Sequence, residues 1–241
     1  MAATAAGAAL TESHRLAQAR LGRSVVRQMA GLWSLIDPAD LDATVERWLR
    51  LAVPVVERNH GQSARLAAAY LRTFRTIEAP DLPPFRLPPP PAFVPAQTTT
   101  SLTVTGPVVV RASTAAGAAI QAASDAGLAQ SAAAAMRLTL NGGRDTIVGA
   151  VNADPDAQGW ARATSGNPCA FCAMLASRGP ADSEETVGFE AHDGCGCTAE
   201  PVYSADADWP SGSRQYQDLW RQAKAEPGDT TANFRALVEG R

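Results

Sequence analysis

Lysine is nearly missing from this chain. Of its 21 basic residues all but Lys224 are arginines, and 24 acidic residues outnumber them, for a net charge of −3. That balance excludes a broad electropositive field of the kind that gathers nucleic acid or anionic membrane. Aromatic residues are few, at 6%, and no basic strip interleaved with aromatics offers a base-stacking platform. No apolar run approaches the roughly 20 residues of a membrane-spanning helix. Near the start, Glu12, His14, Arg15 and Arg20 come too soon for a signal-peptide h-region. The expectation is a protein made and kept in a reducing cytoplasm, with no membrane partner. Only three histidines and four cysteines are present, so their placement carries weight.

All four cysteines and one histidine fall between positions 169 and 197. They read Pro168-Cys169-Ala170-Phe171-Cys172, then His192-Asp193-Gly194-Cys195-Gly196-Cys197. Thiolate and imidazole are the ligands of tetrahedral Zn²⁺, and two short ligand pairs flanking a loop are how small domains assemble such a site. In a reducing compartment clustered cysteines point to metal rather than to disulfides. Cys169, Cys172, His192, Cys195 and Cys197 are therefore five candidates for the four positions of one structural Zn²⁺ per chain. The spacing does not say which four. Such an ion contributes on the order of 10–16 kcal/mol to a small fold.

Enzymatic readings find less support. Pro-Cys-x-x-Cys matches half of the zinc-deaminase signature, but neither His14 nor His60 belongs to a His-x-Glu motif. A thioredoxin-like role for Cys169 and Cys172 leaves His192, Cys195 and Cys197 unexplained. There is no His-Glu-x-x-His, no Gly-x-Ser-x-Gly and no phosphate-cradling glycine loop. A spatially assembled serine triad leaves no trace in linear sequence and stays open.

Periodicity predicts an α+β fold: a helical N-terminal module (1–78), a proline-rich linker (79–97) and a C-terminal α+β domain (98–241) with the zinc knuckle. Apolar positions from Leu16 to Leu35 suit a helix over 11–35 capped by Thr11, and Asp40 caps a second one. Pro54 should kink or restart that helix, and His60-Gly61 should weaken the third, over 55–77. Four prolines at 88–91 favour a stiff extended spacer. Residues 98–105, β-branched and alternating, suit a strand, and 112–137 a helix. Asn141-Gly142-Gly143-Arg144-Asp145 reads as a turn. A strand over 198–203 and helices over 213–225 and 229–239 complete the expectation. Trp160, Phe171, Phe189, Trp209, Tyr216 and Trp220 are expected as packing residues around the knuckle.

The chain also resembles a known family. Ser101-Leu102-Thr103-Val104-Thr105-Gly106-Pro107, Gly142-Gly143-Arg144, Gly159-Trp160-Ala161-Arg162, the stretch from Pro168-Cys169 to Arg178-Gly179 and the His192-x-x-Cys195-x-Cys197 motif are similar to the MuF-like minor head proteins of tailed actinobacteriophages. The resemblance covers about two thirds of the chain, from Leu102 on. It implies a minor capsid protein of head morphogenesis, encoded beside the portal in a phage or prophage. Its implied partners are the portal protein, scaffold or major capsid protein, and packaged DNA. Its implied place is the virion, in the capsid interior or at the portal vertex. Some relatives of that group carry the label capsid maturation protease, which makes processing of scaffold or major capsid protein the alternative.

Overall fold

The computed structural model describes residues 2–164, 166–182, 188–204 and 213–240. Helix α1 (Ala5–Trp33) begins where the Thr4 hydroxyl accepts from the Gly7 amide at 3.0 Å, seven residues before the expected cap. Thr11 lies inside the helix, buried, its hydroxyl 2.8 Å from that of Tyr70. Helix α2 (Leu41–Glu78) is capped by Asp40 as expected and runs through Pro54 and His60-Gly61 without a break. The proline costs one backbone hydrogen bond. Against that loss stand Trp48, Ala52, Val56 and Phe74, all fully buried, at roughly 1.5–3 kcal/mol for each large side chain.

The proline segment is extended, but it lies against the body of the protein. Arg75 donates to the Pro83 carbonyl at 2.7 Å, and Leu87 and Phe93 pack on the two large apolar clusters. The expected strand over 98–105 is instead helix α3 (Pro95–Thr105). Pro95 presets its first turn. The hydroxyls of Thr99, Thr103 and Thr105 bond carbonyls four residues back, and Thr98 and Leu102 share one buried face. Packing at helical spacing overrides the intrinsic β preference of threonine and valine. Helix α4 (Pro107–Ala115) follows, and Gly117, at φ +90°, divides it from α5 where a single helix was expected.

Helix α5 (Ile120–Ala153) is the spine of the molecule. The expected turn at residues 141–145 is a mid-helix stretch, because its glycines serve close approach rather than reversal. A Cβ on Gly142 would stand 2.3 Å from the His60 carbonyl oxygen, and one on Gly143 2.6 Å from Nε2 of Gln18. One core joins Val25, Met29, Trp33, Trp48 and Val56 to Leu102, Val110, Ala132 and Leu138. That core spans the proline segment, with residues from both sides of it in contact.

Beyond α5 the chain forms β1 (Gly159–Ala163), α6 (Ala170–Ala176), β2 (Ala181–Asp182) and β3 (Thr198–Val202). The antiparallel sheet has the order β2-β1-β3, with Trp160 opposite Pro201 and Arg162 opposite Ala199. β1 and β3 are buried on both faces. Helices α7 (Ser213–Ala225) and α8 (Thr230–Glu239, capped by Asp229) enclose α6 through Tyr216, Ala223 and Phe234. The fold is thus mostly helical with a small sheet, an α+β arrangement.

Candidate metal centre

The five expected candidates converge. Cys169 is the N-cap of α6, its sulfur accepting from the Cys172 amide at 3.5 Å, so both thiols stand on the side where the helix begins. The other half comes from the loop before β3. There Gly194 takes φ +76°, a backbone state that suits glycine, and the Cys195 amide bonds the His192 carbonyl at 3.1 Å. That turn aims His192 and Cys195 at α6. Cys169 Sγ and Cys172 Sγ lie 3.1 and 3.4 Å from His192 Nε2, and Cys172 Sγ lies 3.5 Å from Cys195 Sγ.

Two trios have ligand atoms within 4.8 Å of one another: Cys169, Cys172 and His192, and Cys172, Cys195 and Cys197. Cys172 is common to both. The separations approach the roughly 3.6–3.8 Å expected between ligand atoms around a tetrahedral Zn²⁺. None of the four cysteines is in a disulfide, and Cys169 is exposed while the other three are buried. His192 is oriented as a ligand would be. Its Nδ1 is 2.7 Å from the Asp193 carbonyl, which leaves Nε2 as the ring nitrogen that faces the thiols. Hydrogen bonds from Cys172 and Cys197, then the nearby Arg144 charge, hold the Cys195 thiol well below the ordinary thiol range. Its hydrogen bond to Cys195 pushes the Cys172 thiol up. A proton shared unevenly among packed sulfurs is what a metal ion displaces on binding.

Helix α5 holds this loop along one stripe. The Gly194 amide donates to the Ala133 carbonyl at 3.0 Å, and Arg137 pairs with Asp193 at 2.6 Å. One to two turns further on, Arg144 donates through Nε to the Cys197 carbonyl at 3.0 Å and through Nη2 to the Cys195 carbonyl at 2.6 Å. Its Nη1 reaches Asn141 at 3.0 Å, and the residue is 1% exposed. Burial lowers the pKa of Arg144, and the Cys195 and Cys197 thiols oppose that shift. The Phe189 ring lies near both Arg144, at 5.1 Å, and Arg162, at 3.8 Å, with Trp160 beside it.

These α5 residues escape a reading that takes Gly142-Gly143-Arg144-Asp145 as a turn. The available signal was the spacing 133, 137, 141, 144, which follows one face of a helix. His14 and His60 lie elsewhere: His14 stacks on Tyr70 at 4.5 Å, and His60 bonds the Leu138 carbonyl at 3.0 Å. Of the expected aromatics, Phe171 sits 6.1 Å from the His192 ring, whereas Tyr216 and Trp220 pack in the α6–α8 cluster. Trp209 lies outside the described residues.

Comparison with known proteins gives a family. The family model described as VG15 protein matches residues 5–223, nearly the whole chain, which belongs to that family. The chain is similar to the Gene 15 protein of Mycobacterium phage D29, with 34% identity over 39% of this chain and 47% of the relative. It is likewise similar to the Gene 15 protein of Mycobacterium phage L5, with 31% identity over 44% and 51%. The chain thus spans about half the length of the curated relatives it matches. No solved structure matches. Among the described residues no helix is long and apolar enough to cross a membrane.

Proposed function

We propose that this VG15-family chain is a phage head-morphogenesis protein, a MuF-like minor capsid component built around one structural Zn²⁺. The observation that carries the first half is the family match over residues 5–223, with both relatives encoded by phages. The second half is supported by five thiol and imidazole donors drawn from two segments 20 residues apart and pinned to α5. The partners that fit are the portal protein and the scaffold or major capsid protein, with packaged DNA as a further contact inside the virion. The ion supplies stability rather than reaction chemistry, because the five candidate donors outnumber the four positions of a closed tetrahedral site.

The test is mass spectrometry of purified particles, together with co-purification of this chain with the portal protein. Presence in mature heads and a stable portal complex are expected. Normal infectious particles that form without the gene and never contain its product would sink the reading. A second reading, capsid maturation protease, draws on Cys169 and His192, which at 3.1 Å could serve as a thiol nucleophile and its base. Processing of co-expressed scaffold or major capsid protein, lost in Cys169→Ala with metal content retained, would establish it.

A further inference from the structure

Arg144 is a fully buried cation with no carboxylate partner among the described residues. Buried guanidinium groups are costly unless their charge is met. Among the described residues its fork meets neutral acceptors, the carbonyls of Cys195 and Cys197 and the amide oxygen of Asn141. The two carbonyls belong to residues of the sulfur cluster, which places the guanidinium directly behind Cys195 and Cys197. Among the described residues, the charged groups near the cluster include Arg162 on β1, Arg15 on α1, which feels the Cys197 thiol, and the Arg137–Asp193 pair on α5 and the loop. Burial raises the pKa of Asp145, next in sequence, and the charges of His60 and Arg144 oppose that shift.

The geometry is that of a clamp on a Cys-x-Cys pair. By holding the carbonyls at both ends of Cys195-Gly196-Cys197, one rigid planar group sets the direction of both side chains. We propose that Arg144 is the positioning residue of the metal centre, fixing Cys195 and Cys197 in ligating register and balancing the net negative charge of a thiolate-rich Zn²⁺ site. This rests on the reading that the cluster holds a metal ion. A zinc bound by three or four thiolates carries excess negative charge, and Arg144, 1% exposed, stands beside it out of water. Its effect is exerted through the two peptide carbonyls, as outer-shell partners of metal ligands act generally.

The test is competition for Zn²⁺ between the full chain and a chromophoric chelator, with Co²⁺ substitution as a spectroscopic readout. Wild-type protein is measured first. If it holds no ion, the metal reading itself fails, which is distinct from a failure of Arg144. Given one ion per chain, Arg144→Gln is expected to weaken metal retention by about 10–100-fold and to alter the sulfur-to-cobalt absorption. Arg144→Lys, which keeps the charge but loses the fork, is expected to fall between the two. If Arg144→Gln fails to fold, Arg144→Lys and Asn141→Ala carry the test, each with a smaller loss expected. Unchanged chelator competition and an unchanged cobalt spectrum in a folded Arg144 variant would overturn the proposal and leave Arg144 a packing residue only.

Discussion

Gly142 of α5 faces the carbonyl of His60 on α2 so closely that a Cβ would stand 2.3 Å from the oxygen. One residue on, the Gly143 amide donates to the Ser63 hydroxyl at 2.9 Å, and that hydroxyl is 2.7 Å from Gln18 Oε1 on α1. Three long helices therefore meet at a glycine pair and a small polar knot, and α5 is drawn close enough to carry Arg144 and the cysteine loop on its other face.

Two glycines of the same helix should respond oppositely to alanine. Gly142→Ala meets backbone that cannot swing aside, and a loss of about 1–3 kcal/mol is expected. At Gly149 a Cβ would have no neighbour within 4 Å, so Gly149→Ala should stabilise by up to about 1 kcal/mol through helix propensity. Denaturant melts of both variants check the pair, and equal effects would mean that α2 and α5 do not pack as described.

Acid should weaken the fold through His14. Burial against Tyr70 lowers its pKa from 6.5 to about 4, so the unfolded chain binds the proton more readily. Stability from this group is intact above pH 6.5 and declines as pH falls towards 4, by about 3 kcal/mol in the limit. The buried carboxyl of Glu200, with its pKa raised by burial, acts in the opposite sense. The diagnostic is therefore the difference between wild type and His14→Phe: the variant should lose less stability between pH 7 and pH 5.

Asp154 ties the end of α5 to α2. Its carboxylate accepts from Arg75 Nε at 2.8 Å and from the Tyr203 hydroxyl at 3.2 Å, while Arg75 also holds Asp156 and the Pro83 carbonyl. Asp154→Ala would leave Arg75, with its side chain 12% exposed, short of its main partner. A loss of roughly 1–3 kcal/mol is expected, because Asp156 and the Pro83 carbonyl remain, with proteolytic cleavage of the proline segment 80–94 as a second readout. An unchanged melting midpoint would contradict this.

Cys172 belongs to both trios and should matter more than Cys169, which is exposed and belongs to one. Cys172→Ser is expected to abolish stoichiometric metal, whereas Cys169→Ser retains a weaker site completed by the remaining donors. Chelator treatment of wild-type protein should lower the melting temperature to that of Cys172→Ser. Elemental analysis beside thermal melting decides it, and equal metal content in the two variants would refute the hierarchy.

The apolar periodicities of α1 and of the two halves of α2, the Asp40 cap, β3 and the two C-terminal helices were legible, because each rests on interactions within a few residues; the continuity of α2 through Pro54 was not. Residues 98–105 were not. Their β-branched composition suits a strand, and only the buried face shared by Thr98 and Leu102, supplied by distant helices, makes them a helix. Gly142-Gly143 has the composition of a turn, and its role depends on His60 and Ser63, some 80 positions earlier in the chain.

What the sequence determined by itself was the chemistry of the site: five thiol and imidazole donors in two short motifs, whose spacing is local and whose ligand types suit few ions. What only the tertiary structure decided was how those motifs are held. The pairing of Cys172 with Cys195, the approach of His192 Nε2 to Cys169 and the buried fork of Arg144 join segments that lie 23 to 53 residues apart. Such contacts are chosen by the packing of whole helices, which no local pattern encodes.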